Sequence, residues 1–237
     1  MHQTNGELSH EELERLRQFD TCTLSNAIER LNVRPRNEGF MSSAVTCRFP
    51  QLPPVIGYAV TARMRSAVTP VNGKYYYANP EFWSYLAAFR GPRILVILDG
   101  DEEPGVGALL GEAYARISQA FGCVACITNG AVRDLPGIAA LDYQVFSANV
   151  AVSHAYAHVV DFGDTVEIAG LRVSNGDLLH GDMHGFHMLP RGGLRDLPAL
   201  AEDVLREDRE IFHLTERKDF SPALLNAKIA EVGKKHL

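Results

Sequence analysis

The chain has 237 residues, 46% hydrophobic and 22% charged, with a formal net charge of −6 and a pI near 5.8. Such a chain can bury a full core, and its acidic balance excludes a uniformly basic nucleic-acid surface. No apolar run approaches the roughly 20 residues needed to span a bilayer, and the N-terminal stretch is too polar and acidic for a secretory signal. The expectation is a cytoplasmic protein with no membrane or nucleic-acid partner.

Ser9-His10-Glu11-Glu12 is a capping box ahead of a short helix. Leu24, Ala27, Ile28 and Leu31 recur at helical spacing and predict a second helix over Thr23–Leu31. Residues 32–54 carry polar and proline punctuation and read as a loop, followed by a strand over Val55–Arg65. Lys74–Phe89 reads as a helix or a loop leading into one. Its aromatics (Tyr75, Tyr76, Tyr77, Phe82, Trp83 and Tyr85) read mainly as packing, with a substrate-pocket lining as the alternative.

The clearest unit starts at Arg93. Ile94–Leu98 is a continuous apolar run, the pattern of a strand covered on both faces. The loop Asp99–Gly107 is glycine-rich and acidic. A helix then runs to about Phe121 with Leu110, Tyr114, Ile117 and Phe121 as its apolar stripe, and Gly122 stops it. Val124–Thr128 is the next strand, with Asn129-Gly130 expected to turn the chain. This is a βαβ unit, so its strands should be parallel. Cys123-x-x-Cys126 has redox or zinc spacing, but in a strand positions i and i+3 face opposite sides. These two, like Cys22 and Cys47, read as free thiols in a reducing compartment.

Further strands are expected over Tyr143–Ser147 and between Val150 and Val173, with turns at Gly163-Asp164, Ala169-Gly170 and Asn175-Gly176-Asp177. From about Asp196 the chain reads as helical, and Ser221-Pro222 begins the last helix.

In an open parallel sheet, ligands collect beyond the carboxyl ends of the strands. Two loops leave that edge: Asp99–Gly107, leading into Gly111-Glu112, and Asn129–Asp134. The first meets a helix N-terminus, whose amides favour an anion. In the second, Arg133 has the fork that grips a carboxylate, and Asp134 suits Mg²⁺, which takes one or two carboxylates and keeps several waters. Glu112, across the cleft, is placed to accept hydrogen bonds from such waters. A surface Arg–Asp pair is the plainer alternative. His180, Asp182 and His184 would share one side of a regular strand as a transition-metal site, although Gly181 and Gly185 suggest a turn or bulge instead. His154 and His158 read as structural histidines.

Gly111-Glu112, Asn129-Gly-Ala-Val-Arg-Asp134, Val145-Phe146, Gly170, Gly176-Asp177, Asp182, Gly185 and Pro190 fall in the order of one family. The chain resembles the 4-hydroxy-4-methyl-2-oxoglutarate/4-carboxy-4-hydroxy-2-oxoadipate aldolases and the regulator of ribonuclease activity A, together the RraA-like family. The likeness covers roughly residues 20–190, and residues 142–190 look closest to the DlpA-like branch. It implies an α/β fold of the swivelling β/β/α type, placed here over residues 1–194 with N-terminal helices, whereas the helical C-terminal arm over 195–237 exceeds the short regulator-type members of the family. It further implies a homotrimer or a dimer of trimers with active sites at subunit interfaces.

By motif match, Asp134 would be the ligand of Mg²⁺ (or Mn²⁺), Arg133 would bind the pyruvyl oxygens, and Glu112 would orient metal-bound water. Amides around Leu109, Leu110, Gly111 and Glu112 would hold the substrate carboxylate. Family enzymes also draw an acidic residue from the adjoining subunit, for which Glu207 and Glu210 are candidates. The family usually has Asp-Gly where this chain has Asn129-Gly130. The activity implied is a magnesium-dependent, class II-type aldolase or decarboxylase that releases pyruvate from 4-hydroxy-2-oxo dicarboxylic acids or oxaloacetate. The rival is a non-catalytic regulator that binds a ribonuclease or another protein. A demethylmenaquinone methyltransferase is disfavoured, because Gly105-Val-Gly107 is a poor substitute for an S-adenosylmethionine loop.

Overall fold

A computed structural model describes residues 8–71, 73 and 76–234, with side chains described to residue 231. Lys74 and Tyr75 of the aromatic stretch, residues 1–7 and residues 235–237 lie outside the described residues. The chain opens with α1 (His10–Arg17), whose capping box closes as expected: Ser9 Oγ accepts from Glu12 N at 3.2 Å, and Ser9 N donates to the Glu12 carboxylate at 2.7 Å. Helix α2 (Thr21–Leu31) starts two residues earlier than its apolar spacing suggests, because Asp20 caps Thr23 N at 2.6 Å. Then come β1 (Thr46–Cys47), β2 (Val55–Arg65) and α3 (Pro80–Ala87). The aromatic stretch is helical only from Pro80, where Asn79 caps Phe82 N and proline occupies the first turn.

Next follow β3 (Arg93–Asp99), β4 (Ala108–Leu110), α4 (Glu112–Ala120), β5 (Cys123–Val132), α5 (Leu135–Ala139) and β6 (Gln144–Val150). The second half comprises β7 (His158–Phe162), β8 (Val166–Ile168), β9 (Leu171–Val173), β10 (Leu178–Asp182), β11 (Gly185–Met188), α6 (Leu197–Thr215) and α7 (Pro222–Lys234).

The large sheet has the order β1-β6-β5-β3-β2-β10-β11, with β4 also on β5 and β7 also on β2. It curls into a nearly closed barrel. Strands β2, β3, β5 and β6 form its parallel centre. Alternation along β3 explains its unbroken apolar run: Leu95 and Ile97 enter one core, and Ile94 and Val96 enter another on the opposite face.

Three expectations fail here. Leu110, expected in the apolar stripe of the helix, instead ends strand β4, and α4 begins at Glu112. Asn129-Gly130 does not turn the chain; β5 runs on through it to Val132, with an irregularity between Thr128 and Ala131. Cys123 and Cys126 do not face opposite sides, because the register slips after Arg93 and both enter the same core. They are nonetheless free, buried thiols. Burial pushes Cys123 up to about 12 and Cys126 further still.

A third core joins α1, α2 and the first turns of α6 through Leu13, Leu16, Leu24, Ile28, Leu197 and Val204. Arg30 of α2 closes it with an ion pair to Glu207 at 2.7 Å. Helix α7 packs on α6.

The His180–His184 segment forms a clasp. Asp182 ends β10, and its buried carboxylate accepts from Thr21 N (2.8 Å), Thr21 Oγ1 (2.7 Å), His184 N (2.8 Å) and His184 Nδ1 (3.0 Å). His180 turns away to His187, with 3.3 Å between ring nitrogens. Among the described residues no group of three or more His, Cys, Asp or Glu converges to hold a metal.

Burial raises the pKa of Asp182, but the bonds from Thr21 and His184 outweigh it and leave the carboxyl below its usual 3.8. A lowered folded pKa means that the clasp stabilises at neutral pH and is lost as pH falls through the acid range below that value. Asp182→Ala should cost roughly 2–4 kcal/mol at pH 7. In thermal melts from pH 7 to pH 3, the gap between variant and wild type should narrow toward the acid end.

Candidate active site

Strand β5 carries the site. Because β4 lies parallel beside its far half (Ala108↔Ala131, Leu110↔Val132), the end of β5 arrives next to the start of α4. Arg133 N donates to Leu110 O at 3.0 Å, extending the ladder one residue past the strand. Asp134 then takes a left-handed backbone, φ 55°, and starts α5. Its Oδ2 accepts from Glu112 N at 3.2 Å and from Arg133 Nε at 3.2 Å. The two loops expected to converge do so across 22 positions of sequence.

Glycine makes this approach possible. A Cβ on Gly111 would come within 2.6 Å of Asp134 Oδ2 and 3.1 Å of Arg133 Cγ. Gly107 meets the His154 carbonyl in the same way, at 2.5 Å. Glu112 lies over Gly137 of α5, and its Oε1 pairs with Arg116 one turn on, at 2.7 Å. The side chains of Arg133 (28% exposed), Asp134 (40%) and Glu112 (40%) all reach solvent. Leu109 and Leu110 are buried in β4. Of the amides expected to face a ligand, that of Glu112 is engaged by Asp134. Glu207 and Glu210 lie on α6, paired with Arg30 and Lys228.

The acidic loop serves the frame. Asp99 Oδ2 accepts from Gly105 N at 2.8 Å, and its Oδ1 accepts from Asp101 N at 3.1 Å. Burial is the main cause of the raised Asp99 pKa. Asp101 gathers Ser66 N, Ser66 Oγ, Ala67 N and Arg65 Nε, and these bonds outweigh burial and lower its pKa.

Asn129 explains why β5 does not turn. Its Oδ1 accepts from Asp99 N at 2.7 Å and its Nδ2 donates to Asp99 O at 3.0 Å. The amide thus replaces a rung of backbone ladder between β5 and β3. It needs a donor and an acceptor on one side chain, which a carboxylate in that place would lack.

The family model for RraA-like proteins (Aldolase/RraA) matches residues 21–187, and the chain belongs to this family. No curated protein matches it in sequence. Among solved structures, an uncharacterized protein from Pseudomonas syringae pv. tomato str. DC3000 is 17% identical, with TM-score 0.72 over 97% of this chain and 98% of that one. A structure described under novel cellulases from gut-associated microbes is 16% identical, with TM-score 0.71 over 86% and 88%. Streptomyces coelicolor RraAS2, an unusual member of the RNase ES inhibitor RraA family, is 19% identical, with TM-score 0.66 over 89% and 98%. At these identities the likeness establishes the RraA fold. Proteins of this family include aldolases and ribonuclease regulators, and form oligomers, usually trimers. The match does not separate the DlpA-like branch from the others. Among the described residues no helix is long and apolar enough to cross a membrane.

The glycine contacts give a direct test. The obstacle at Gly107 is backbone, which cannot rotate away, so Gly107→Ala should cost roughly 1–3 kcal/mol in chemical denaturation. At Gly111 the obstacle is mainly the Asp134 carboxylate. Gly111→Ala should cost less stability while displacing that carboxylate, visible as loss of its contact with Glu112 N in a crystal structure of the variant.

Proposed function

We propose that this protein is a magnesium-dependent carbon–carbon lyase that releases pyruvate from 4-hydroxy-2-oxo dicarboxylic acids or from oxaloacetate. The observation that carries this reading is the arrangement of Arg133 and Asp134 at the exit of β5, against the first amide of α4. Both bonds described for the Asp134 carboxylate fall on Oδ2, so Oδ1 takes part in neither. One partly exposed carboxylate without a cage of further ligands fits Mg²⁺, and fits Zn²⁺ poorly. Asp134 would hold the ion, and Glu112 would accept hydrogen bonds from its waters.

Bound magnesium would supply a Lewis acid toward the oxygens of a 2-oxo acid. Arg133 gives its Nε to Asp134 and keeps its terminal nitrogens for a substrate carboxylate and oxo group. The bond to Asp134 fixes the guanidinium plane, so its charge is in place before any negative charge develops. Glu112 would hold a water through which the proton of the substrate's 4-hydroxyl passes to the Glu112 carboxylate, which later returns it to C3. As the C3–C4 bond breaks, C4 becomes a carbonyl and the electron pair passes to C3 of a pyruvate enolate facing Arg133. Protonation at C3 completes pyruvate. In oxaloacetate, loss of CO₂ generates the same enolate. A homotrimer or dimer of trimers would cover this half-open site with a neighbouring copy. The free cysteines suit a cytoplasmic location.

The second reading, a protein-binding regulator, draws on a family that holds both kinds of protein. The two readings separate on Asp134. In an assay coupled to pyruvate, wild type should require Mg²⁺ or Mn²⁺, and Asp134→Ala and Arg133→Lys should each lower kcat/KM by about a hundredfold or more. Turnover unaffected by EDTA would remove the metal role. Absence of turnover, with capture of ribonuclease E undiminished in Asp134→Ala, would favour the regulator.

A further inference from the structure

Two groups close on the Glu112 carboxylate from different helices. Arg116 sits one turn further along α4. Helical side chains lean toward the N-terminus, so its guanidinium reaches back over Glu112. Its Nε and a terminal nitrogen both meet Glu112 Oε1, at 2.9 Å and 2.7 Å. Oε2 takes part in neither bond and lies against α5, over Gly137. A Cβ on Gly137 would overlap Oε2 and come within 2.5 Å of Cδ and 3.0 Å of Cγ. Gly137 belongs to the Asp134 turn, since its N–H donates to Asp134 O at 3.0 Å. Glu112 N donates to Asp134 Oδ2 at 3.2 Å. The backbone and the side chain of Glu112 are thus both placed relative to Asp134.

Stability explains neither contact. The Arg116 and Glu112 side chains are 58% and 40% exposed, and a pair so open to solvent adds little to folding. Gly137 lies within α5 without a left-handed backbone, so no turn requires glycine there. Glycine is among the poorest helix formers. Yet α5 carries it at the point where a side chain would push the Glu112 carboxylate away.

We infer that Arg116 and Gly137 are positioning residues that hold the Glu112 carboxylate beside Asp134, Arg116 by fixing Oε1 and Gly137 by leaving room for Oε2. The inference rests on the lyase reading of Arg133 and Asp134. With Oε1 held, Oε2 is the oxygen left to accept from a water next to the substrate's 4-hydroxyl. A glutamate without these restraints would spread over many rotamers. Misplacing a proton-transfer group costs rate rather than affinity. Arg133 grips the keto acid without help from Arg116, so loss of Arg116 should fall on kcat and spare KM.

The test uses the full chain with Mg²⁺ and 4-hydroxy-4-methyl-2-oxoglutarate, following pyruvate release. Arg116→Ala and Gly137→Ala should each lower kcat about tenfold, with KM and the calorimetric affinity for pyruvate within about twofold of wild type. Neither should lower the melting temperature. Arg116→Lys, which keeps an opposite charge one turn from Glu112, should recover most of the rate. In a Glu112→Ala background, Arg116→Ala should cost nothing further. A crystal structure of Gly137→Ala should show the Glu112 carboxylate swung off α5. Wild-type kcat in either alanine variant, or an undiminished loss in the Glu112→Ala background, overturns the inference and leaves the lyase reading standing. Absence of Mg²⁺-dependent pyruvate release by wild type, from this substrate and from oxaloacetate, overturns both.

Discussion

The site depends on β5 remaining a strand for ten residues while its neighbours change. Its first half pairs with β3 and its far end with β4. At the crossing point the backbone ladder is irregular, and the Asn129 side chain supplies the missing donor and acceptor to Asp99. Were the chain to turn at Gly130, Arg133 and Asp134 would leave the sheet before reaching α4. Because it does not, Asp134 meets the amide of Glu112, and α4 and α5 start side by side.

The acidic residues divide by how fully their oxygens are used. Asp101 and Asp182 are buried and accept several bonds each, largely from backbone amides and hydroxyls. Such carboxylates fasten segments together, since an unfilled buried oxygen would cost the desolvation of a charge. Asp134 is different: it is 40% exposed, and both its described bonds converge on one oxygen. A carboxylate kept in place yet incompletely satisfied can still bind something else.

The terminal helices serve the fold around this centre. Helices α1, α2 and α6 share a core against the start of β2 and the end of the β10–β11 region, with Ile56, Leu178 and Leu189 as common members. The Asp182 clasp joins the start of α2 to the β10–β11 hairpin. What looks in sequence like a metal-ligand triplet is therefore a structural knot: Asp182 binds Thr21 and His184, while His180 faces its hairpin partner His187.

Local signals within a helical turn or a strand were legible from the residues alone. The Ser9 capping box, the span of β2, the apolar run of β3 and the glycine stop at Gly122 all depend on neighbours a few positions away. The βαβ pattern also placed the Arg133–Asp134 loop beside Gly111-Glu112, since parallel pairing fixes which strand ends share an edge. Tertiary structure decided the rest. A turn signal such as Asn-Gly loses to strand pairing when ladders on both sides compensate the backbone. One slipped residue after Arg93 moved Cys123 and Cys126 into the same core. The partnering of Asn129 with Asp99 and of Tyr76 with His154 spans dozens of positions, and such contacts follow from strand register, which no local pattern encodes.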